Sequence, residues 1–248
     1  MKVTLIDYTE NAADILIFSK KTRLNMSAAS FDDVKKIPIN DKQVELKYVF
    51  GTISSSWEFV DYTFMIEGVT RAFTHQLVRH RVGFSFAQQS MRAVDMSEFD
   101  YLATGTAEDS QEYHDTMSLI SNGYSNLIEN GTHPSDARGV LPTNITTNIL
   151  CKCNLRSLSQ LLNIRLCVKA QGEFQDVARE MREKVLEVHP WTDPVLQVHC
   201  VQHGSCAFPT YQDCPVKEAG FCRRDPEEQY KIQRIWEDNR TEAKPKGG

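Results

Sequence analysis

The chain has 248 residues, of which 41% are hydrophobic and 25% charged, a balance that suits one soluble domain with a substantial buried core. Its formal net charge of −5 excludes a globally basic surface of the kind that wraps nucleic acid, although local arginine clusters can still hold phosphates. No unbroken apolar window of spanning length is present, the N-terminus lacks the apolar run of a signal peptide, and seven cysteines without an export signal read as reduced thiols. A cytoplasmic protein with no membrane segment is therefore expected.

In chain order, residues 2–7 read as a short strand, and Thr9 as the N-cap of a helix carrying Ala12, Ala13, Leu16 and Lys20. Residues 26–45 are polar and irregular and read as a loop. Trp57 to Val69 reads as a strand closed by Gly68. Thr70 can cap a helix with Ala72, Phe73, Gln76, Leu77 and His80 at helical spacing, interrupted by Gly83 and Ser85. A helix over 108–128 is closed by the turn signal Asn130-Gly131. From Gly172, the recurrence of Phe174, Val177, Ala178, Met181, Val185 and Val188 predicts the clearest helix, stopped by His189-Pro190. The tail from about 225 is charged and reads as solvated. The organisation is an α+β domain over 1–198, a mixed central sheet flanked by helices, followed by a cysteine-bearing appendix and charged tail over 199–248.

Two stretches concentrate chemistry. Gln76-Leu77-Val78-Arg79-His80-Arg81 and the following Val82 to Arg92 hold three arginines, a histidine, three glutamines and two serines. Arginine forks bind phosphate bidentately, and Gln and Ser can read a base or ring edge, so the set suits an anionic ligand with a heteroaromatic head. A solvated helix end followed by a polar loop would look the same by composition. The second stretch runs from Asp136-Ala137-Arg138 to Arg165. Arg156, Gln160 and Asn163 fall on one helical face beside a leucine stripe, where an arginine is costly to bury unless an anion meets it. An amphipathic helix whose arginines reach to water fits that pattern equally.

Taken together, the order of motifs resembles the flavin-dependent thymidylate synthases. Arg79-His80-Arg81, the Gln-rich run and the closing Ser90-Met91-Arg92 are similar to the family signature. Ala137-Arg138-x-Val140-Leu141-Pro142, Asn154-x-Arg156-Ser157-Leu158, Asn163-Ile164-Arg165 and Ala170-Gln171-x-Glu173 continue the resemblance, as does the opening Met1-Lys2-Val3 with Tyr8-Thr9. The resemblance implies a homotetramer with active sites shared between subunits, binding FAD and dUMP, with NADPH and methylenetetrahydrofolate as co-substrates. It assigns Ser55, Arg79, His80, Arg81, Asn154, Arg156 and Gln160 to FAD. Gln76, Arg79, Gln88, Gln89, Ser90, Met91, Arg92, Arg138 and Arg165 go to dUMP, with Arg165 polarising the pyrimidine and Ser90 orienting rather than attacking.

Four departures stand out. The spacing from Arg81 to Ser90 is one residue longer than the commonest signature. Ser135, with Asp136 beside it, stands where a carboxylate is common, and Gln88 where a glutamate is frequent. Ile53 and Phe59 stand where many members carry histidines. These changes leave room for hydroxymethylation or another C5 modification of a pyrimidine nucleotide. A non-catalytic nucleotide- or nucleic-acid-binding protein is the reading from another class, and the acidic balance opposes it. His199, Cys200, His203, Cys206, Cys214 and Cys222 could coordinate zinc, but no Cys-x-x-Cys pair is present and the spacings are loose, so no metal is assigned.

Overall fold

A computed structural model describes residues 1–24, 30–211 and 214. Four strands form one sheet in the order β1-β2-β4-β3: β1 Lys2–Tyr8, β2 Asp61–Thr70, β3 Phe84–Gln88 and β4 Thr146–Asn154. The helix-flanked sheet is as expected, but all three pairings are antiparallel where a mixed sheet is predicted. Strand alternation explains why one face is covered. Tyr62, Phe64 and Ile66 on β2, with Ile149, Cys151 and Cys153 on β4, are fully buried, while Leu150 and Lys152 between the β4 residues face outward.

The buried face is covered by α7 (Leu155–Arg165) and α8 (Gly172–Val188). On α8, Phe174, Val177, Ala178, Met181 and Val185 are buried at the predicted spacing. Phe174 meets Phe73 of α4 (Arg71–Leu77) edge to face at 4.8 Å, which ties α4 to the same core. A second cluster, built on Met96, Tyr124, Ala137 and Ile145, sits under α5 (Gln111–Glu129) and α6 (Pro134–Ala137). No helix among the described residues is long and apolar enough to cross a membrane.

Several predicted boundaries shift. α1 (Ala12–Leu24) starts after Thr9, whose hydroxyl accepts the Asp61 N–H at 2.9 Å and so ties β1 to β2 rather than capping a helix. The predicted loop over 26–45 contains α2 (Phe31–Lys35), held by a reciprocal Ser30–Asp33 capping box, and the start of α3 (Ile39–Phe50); residues 25–29 lie outside those described. Ser54–Phe59 is a 3₁₀ turn, so the strand begins later than predicted. Gly68, at φ +64°, makes a bulge and donates to Asn148 Oδ1 at 3.0 Å, and β2 continues through it. α4 stops at Leu77, leaving His80 in the turn beyond.

Arg156, Gln160 and Asn163 do share a side of α7, but that side passes from solvent to beneath α9 (His199–His203). Asn163 is buried and donates to Gln197 O at 2.8 Å and Gln202 Oε1 at 2.6 Å. Val201 of α9 joins the main core, and Cys200, Cys206 and Cys214 pack on it.

Candidate functional site

The site grows from the junction of β2 and α4. Thr70 Oγ1 accepts the Phe73 N–H at 3.0 Å, capping α4 as the sequence predicts. The same hydroxyl donates to Glu173 Oε2 at 2.5 Å, and the Thr70 N–H donates to Glu173 Oε1 at 2.6 Å. One carboxylate on α8 thus fixes the start of α4, and through it the direction in which Gln76 leaves the other end.

Gln76 links α4 to the end of α7 and the residue before α8. Its Nε2 donates to Gln171 Oε1, and its Oε1 accepts from Arg165 Nη1 at 3.4 Å. The Arg165 guanidinium lies 4.2 Å over the Phe174 ring, and its Nε is buried with no hydrogen-bond partner. Burial lowers the Arg165 pKa from its usual value, yet an arginine stays charged. His80 stands in the same group, with ring centroids 5.8 Å from Phe84 and 6.4 Å from Phe174. Burial first, then the Arg165 charge, lowers the His80 pKa below its ordinary value of 6.5, so its imidazole is neutral at pH 7.

A second group sits at the other end of α4. The Gln89 N–H donates to Asn148 O at 3.1 Å, and Gln89 O accepts from Arg71 Nη2 at 2.7 Å. Arg138, exposed and donating to Ser135 O at 3.1 Å, is close enough to depress the Arg71 pKa, second to burial in that effect. Ser90 Oγ accepts the Arg92 N–H at 3.3 Å, which fixes the hydroxyl beside two exposed side chains, Gln89 and Arg92. Gln88 turns inward and donates to Thr74 Oγ1 at 2.9 Å, while Met91 packs on the Met96–Tyr124 cluster. Among the described residues no carboxylate pairs with Arg71, Arg79, Arg81, Arg92, Arg138 or Arg165.

The third group lies at the start of α7. Asn154 Oδ1 caps the helix by accepting the Ser157 N–H at 2.9 Å, and Ser157 Oγ donates to Val82 O at 2.8 Å. These bonds hold the turn that follows Arg79-His80-Arg81. Arg156 Nη1 meets Glu58 Oε1 at 2.5 Å, so its charge is already balanced by the 3₁₀ turn that also carries Ser55. Ser55 and Gln160 are exposed. Cavities of about 570 Å³ beside β1 and about 450 Å³ beside His189 and Trp191 contain none of these residues.

Sequence reasoning missed Arg71 altogether, read Phe174 only as part of a helix's apolar stripe, and did not read Glu58 as a partner of Arg156. It noted Gln171 and Glu173 only as motif letters. The Thr70 cap places Arg71 at the first helical position, but nothing local connects it to Gln89 or Arg138. At the cysteine-rich end, burial raises the Cys200 thiol to about 12 and also raises Cys167; each is pushed further by neighbouring thiols, among them Cys206 and Cys214. Among the described residues no group of three His, Cys, Asp or Glu side chains is arranged to hold a metal ion, and Cys222 lies outside them.

Known proteins resemble this chain in sequence and in fold. The family described as "Thymidylate synthase complementing protein" matches residues 4–191. The flavin-dependent thymidylate synthase of Pyrococcus horikoshii is 33% identical over 221 residues, covering 83% of this chain and 89% of that protein. That of Thermococcus kodakarensis is 37% identical over 185 residues, covering 68% and 74%. Among solved structures, thymidylate synthase X from Helicobacter pylori with FAD and dUMP superimposes with a TM-score of 0.64 at 24% identity, covering 79% of this chain and 99% of that one; this likeness speaks for the fold.

Proposed function

The chain belongs to the thymidylate synthase complementing protein family, and from that premise we propose that it makes dTMP from dUMP. FAD is the redox group, NADPH the reductant and methylenetetrahydrofolate the carbon donor. The observation that carries the reading is Arg165. A half-buried guanidinium laid on an aromatic ring, bonded to Gln76 and left with a buried, unpartnered Nε, is an anion or oxyanion partner waiting for its ligand. The curated relatives at 31–37% identity carry the name of this activity.

The residues present fit the two ligands by their chemistry. Exposed Arg79 and Arg81, which have no carboxylate partner among the described residues, offer charge to the phosphates of FAD, with His80, Asn154 and Gln160 beside or beyond them. When bound, the flavin supplies the electrons for the reduction. Gln89, Ser90, Arg92 and Arg138 hold dUMP, and Gln76 and Arg165 meet its pyrimidine edge. There Arg165 stabilises negative charge developing on the ring's N3 and oxygen, which raises the reactivity of C5 and C6. Neutral His80 adds no second positive charge to that edge. Ser90, fixed by the Arg92 N–H, orients the nucleotide.

A homotetramer with active sites shared between subunits is part of the same reading. Its support is that Val82 at 84% exposure, Phe59 at 65% and Ile53 at 63% leave large apolar side chains bare beside an unclosed site. A cytoplasmic location goes with it.

The test is anaerobic incubation of the purified protein with FAD, NADPH, methylenetetrahydrofolate and dUMP, followed by mass spectrometry of the nucleotide. The expected product is dTMP, falling by roughly 10²–10³-fold in Arg165→Ala, as when a transition-state charge partner is removed. A product one oxygen heavier makes the reaction a hydroxymethylation, the outcome for which Ile53 and Phe59 in place of histidines leave room. Unchanged dUMP refutes catalysis.

A further inference from the structure

We infer that Cys167, Cys200, Cys206 and Cys214 form a thiolate site for one zinc-class divalent ion, which fastens the segment after α9 to the end of α7. Such a site is independent of the function proposed above and gives a role to cysteines that function leaves idle.

Three observations converge on it. The four residues are distant in sequence but meet in space, each packed on the rim of the main core. Cys200 lies near enough to Cys167, Cys206 and Cys214 for all three to oppose its ionisation, and Cys167 feels Cys206 and Cys214 in the same way. Lys169 marks the same approach from outside. Its Nζ stands 4.8 Å over the Phe208 ring and 5.6 Å over that of Tyr211, so the turn after Cys167 lies against the loop between Cys206 and Cys214.

The backbone is also aimed at the sulfurs. The Phe208 N–H, two residues on, donates to Cys206 Sγ at 3.3 Å. The Lys169 N–H, again two residues on, holds the Cys167 pKa down against its burial, and the Val201 N–H does so for Cys200. Donors placed in this way favour a thiolate over a thiol, and such outer hydrogen bonds orient and tune metal ligands. Lastly, beyond α9 the described residues carry no helix or strand, so no backbone ladder ties Cys206 and Cys214 to the body of the protein.

Other uses of these thiols fit less well. Cys151 and Cys153 show how this chain buries an inert thiol, fully enclosed on β4, whereas the four stand half-buried at the rim. A disulfide forms by thiolate attack, and burial with the neighbouring thiols pushes Cys200 up to about 12, which leaves little thiolate to attack. A dication removes that mutual opposition by taking the place of the thiol protons, which leave to solvent. Four sulfur donors select a soft or borderline ion content with a tetrahedron, which is zinc. No three of these side chains are yet arranged around one point among the described residues. Binding therefore turns the sulfurs inward from a neighbourhood they already share, and couples metal uptake to tightening of the segment.

The experiment takes the full chain, reduced, loaded with zinc and freed of loose metal by gel filtration with a weak chelator. Metal is counted by mass spectrometry, and cobalt(II) is then exchanged in as a spectroscopic probe. The expected results are one zinc per chain and, with cobalt, the intense charge-transfer and visible bands of a tetrahedral tetrathiolate. Zinc content falls to near zero in Cys206→Ser and in Cys214→Ser. Stripping zinc from wild type with a strong chelator speeds amide exchange at residues 199–208 and leaves α8 protected. A wild type without zinc after loading overturns the proposal, as does full zinc content in both variants. Cobalt bands of nitrogen and oxygen ligation also overturn it and make the metal an adventitious ion only. Should the variants fail to fold, the cobalt spectrum of wild type decides alone: tetrathiolate bands uphold the site and their absence refutes it. None of these readings depends on which nucleotide the protein converts.

Discussion

Replacing Gly83 by alanine tests the turn that presents Arg79, His80 and Arg81. Gly83 has φ +71°, and a Cβ there would stand 2.2 Å from Ser157 Oγ and 2.5 Å from Asn154 Nδ2. Both neighbours are committed: Asn154 caps α7, and Ser157 Oγ donates to Val82 O. The left-handed backbone costs alanine about 1–2 kcal/mol. Displacing the serine hydroxyl from its bond costs about 0.5–1.5 kcal/mol more, and disturbing the cap about 1 kcal/mol. Against these, the stiffer unfolded chain returns about 0.4–1 kcal/mol. The net destabilisation is about 1.5–4 kcal/mol, which in a chain of this size lowers Tm by roughly 3–16 °C. Circular dichroism melts of wild type and Gly83→Ala read the shift, and flavin titration reads whether the arginines of the turn have moved. A Gly83→Ala melt within about 2 °C of wild type would refute the close approach of this turn to the start of α7 and the reasoning built on it.

His189 makes stability depend on pH. Burial lowers its pKa to about 4, while its N–H contact with the Glu10 backbone opposes the shift. Neutral in the folded chain and protonated near 6.5 when unfolded, it contributes stability above pH 6.5 that declines as pH falls towards 4, by about 2 kcal/mol between pH 7 and 5. Urea titrations at both pH values should show a shallower decline in His189→Gln, and equal declines would refute the assignment. For Asn163→Ala, the stranded Gln197 carbonyl and the lost bonds to α9 predict about 1–3 kcal/mol of destabilisation. Amide exchange should accelerate first at residues 199–203, and unchanged protection there would show that α9 is held by other contacts.

Much of the fold was legible because it is written locally. The α8 stripe, the Thr70 cap, the Asn130-Gly131 turn and the His189-Pro190 stop each depend on neighbours within a few residues. Thr9 and Thr70 show where that ends. Both precede apolar helical runs, but Thr9 spends its hydroxyl on the Asp61 N–H across the sheet, a partner that no window around residue 9 contains. The helices within 26–45 were readable in principle, since Ser30-x-x-Asp33 is a capping box, but low apolar periodicity concealed them. The same division runs through the site. Arg165 donates to Gln76 and its charge reaches His80, a grouping that separate motifs 76–81 and 163–165 do not announce. Arg71 has no motif, because its contacts arise only where α4 meets the Gln89 segment and Arg138.

The arginines of this chain differ in the company they keep. Arg179 and Arg182 lie on carboxylates within the α8 region, where their charge is spent on the fold. Among the described residues Arg71, Arg138 and Arg165 have no carboxylate partner, and Arg71 and Arg165 each carry a buried Nε with no hydrogen-bond partner there. A fold that sought only stability would remove that cost with an apolar side chain or an acid. Arg156 is the instructive intermediate. The family resemblance assigns it to FAD, but Glu58 already meets it at 2.5 Å. A flavin phosphate at Arg156 must therefore displace the Glu58 carboxylate or share the guanidinium with it, and a second anion beside Glu58 would be repelled. Among the described residues Arg79 and Arg81 meet no such carboxylate, so under the proposed function the attraction for the cofactor falls on the turn that Gly83, Asn154 and Ser157 hold in place.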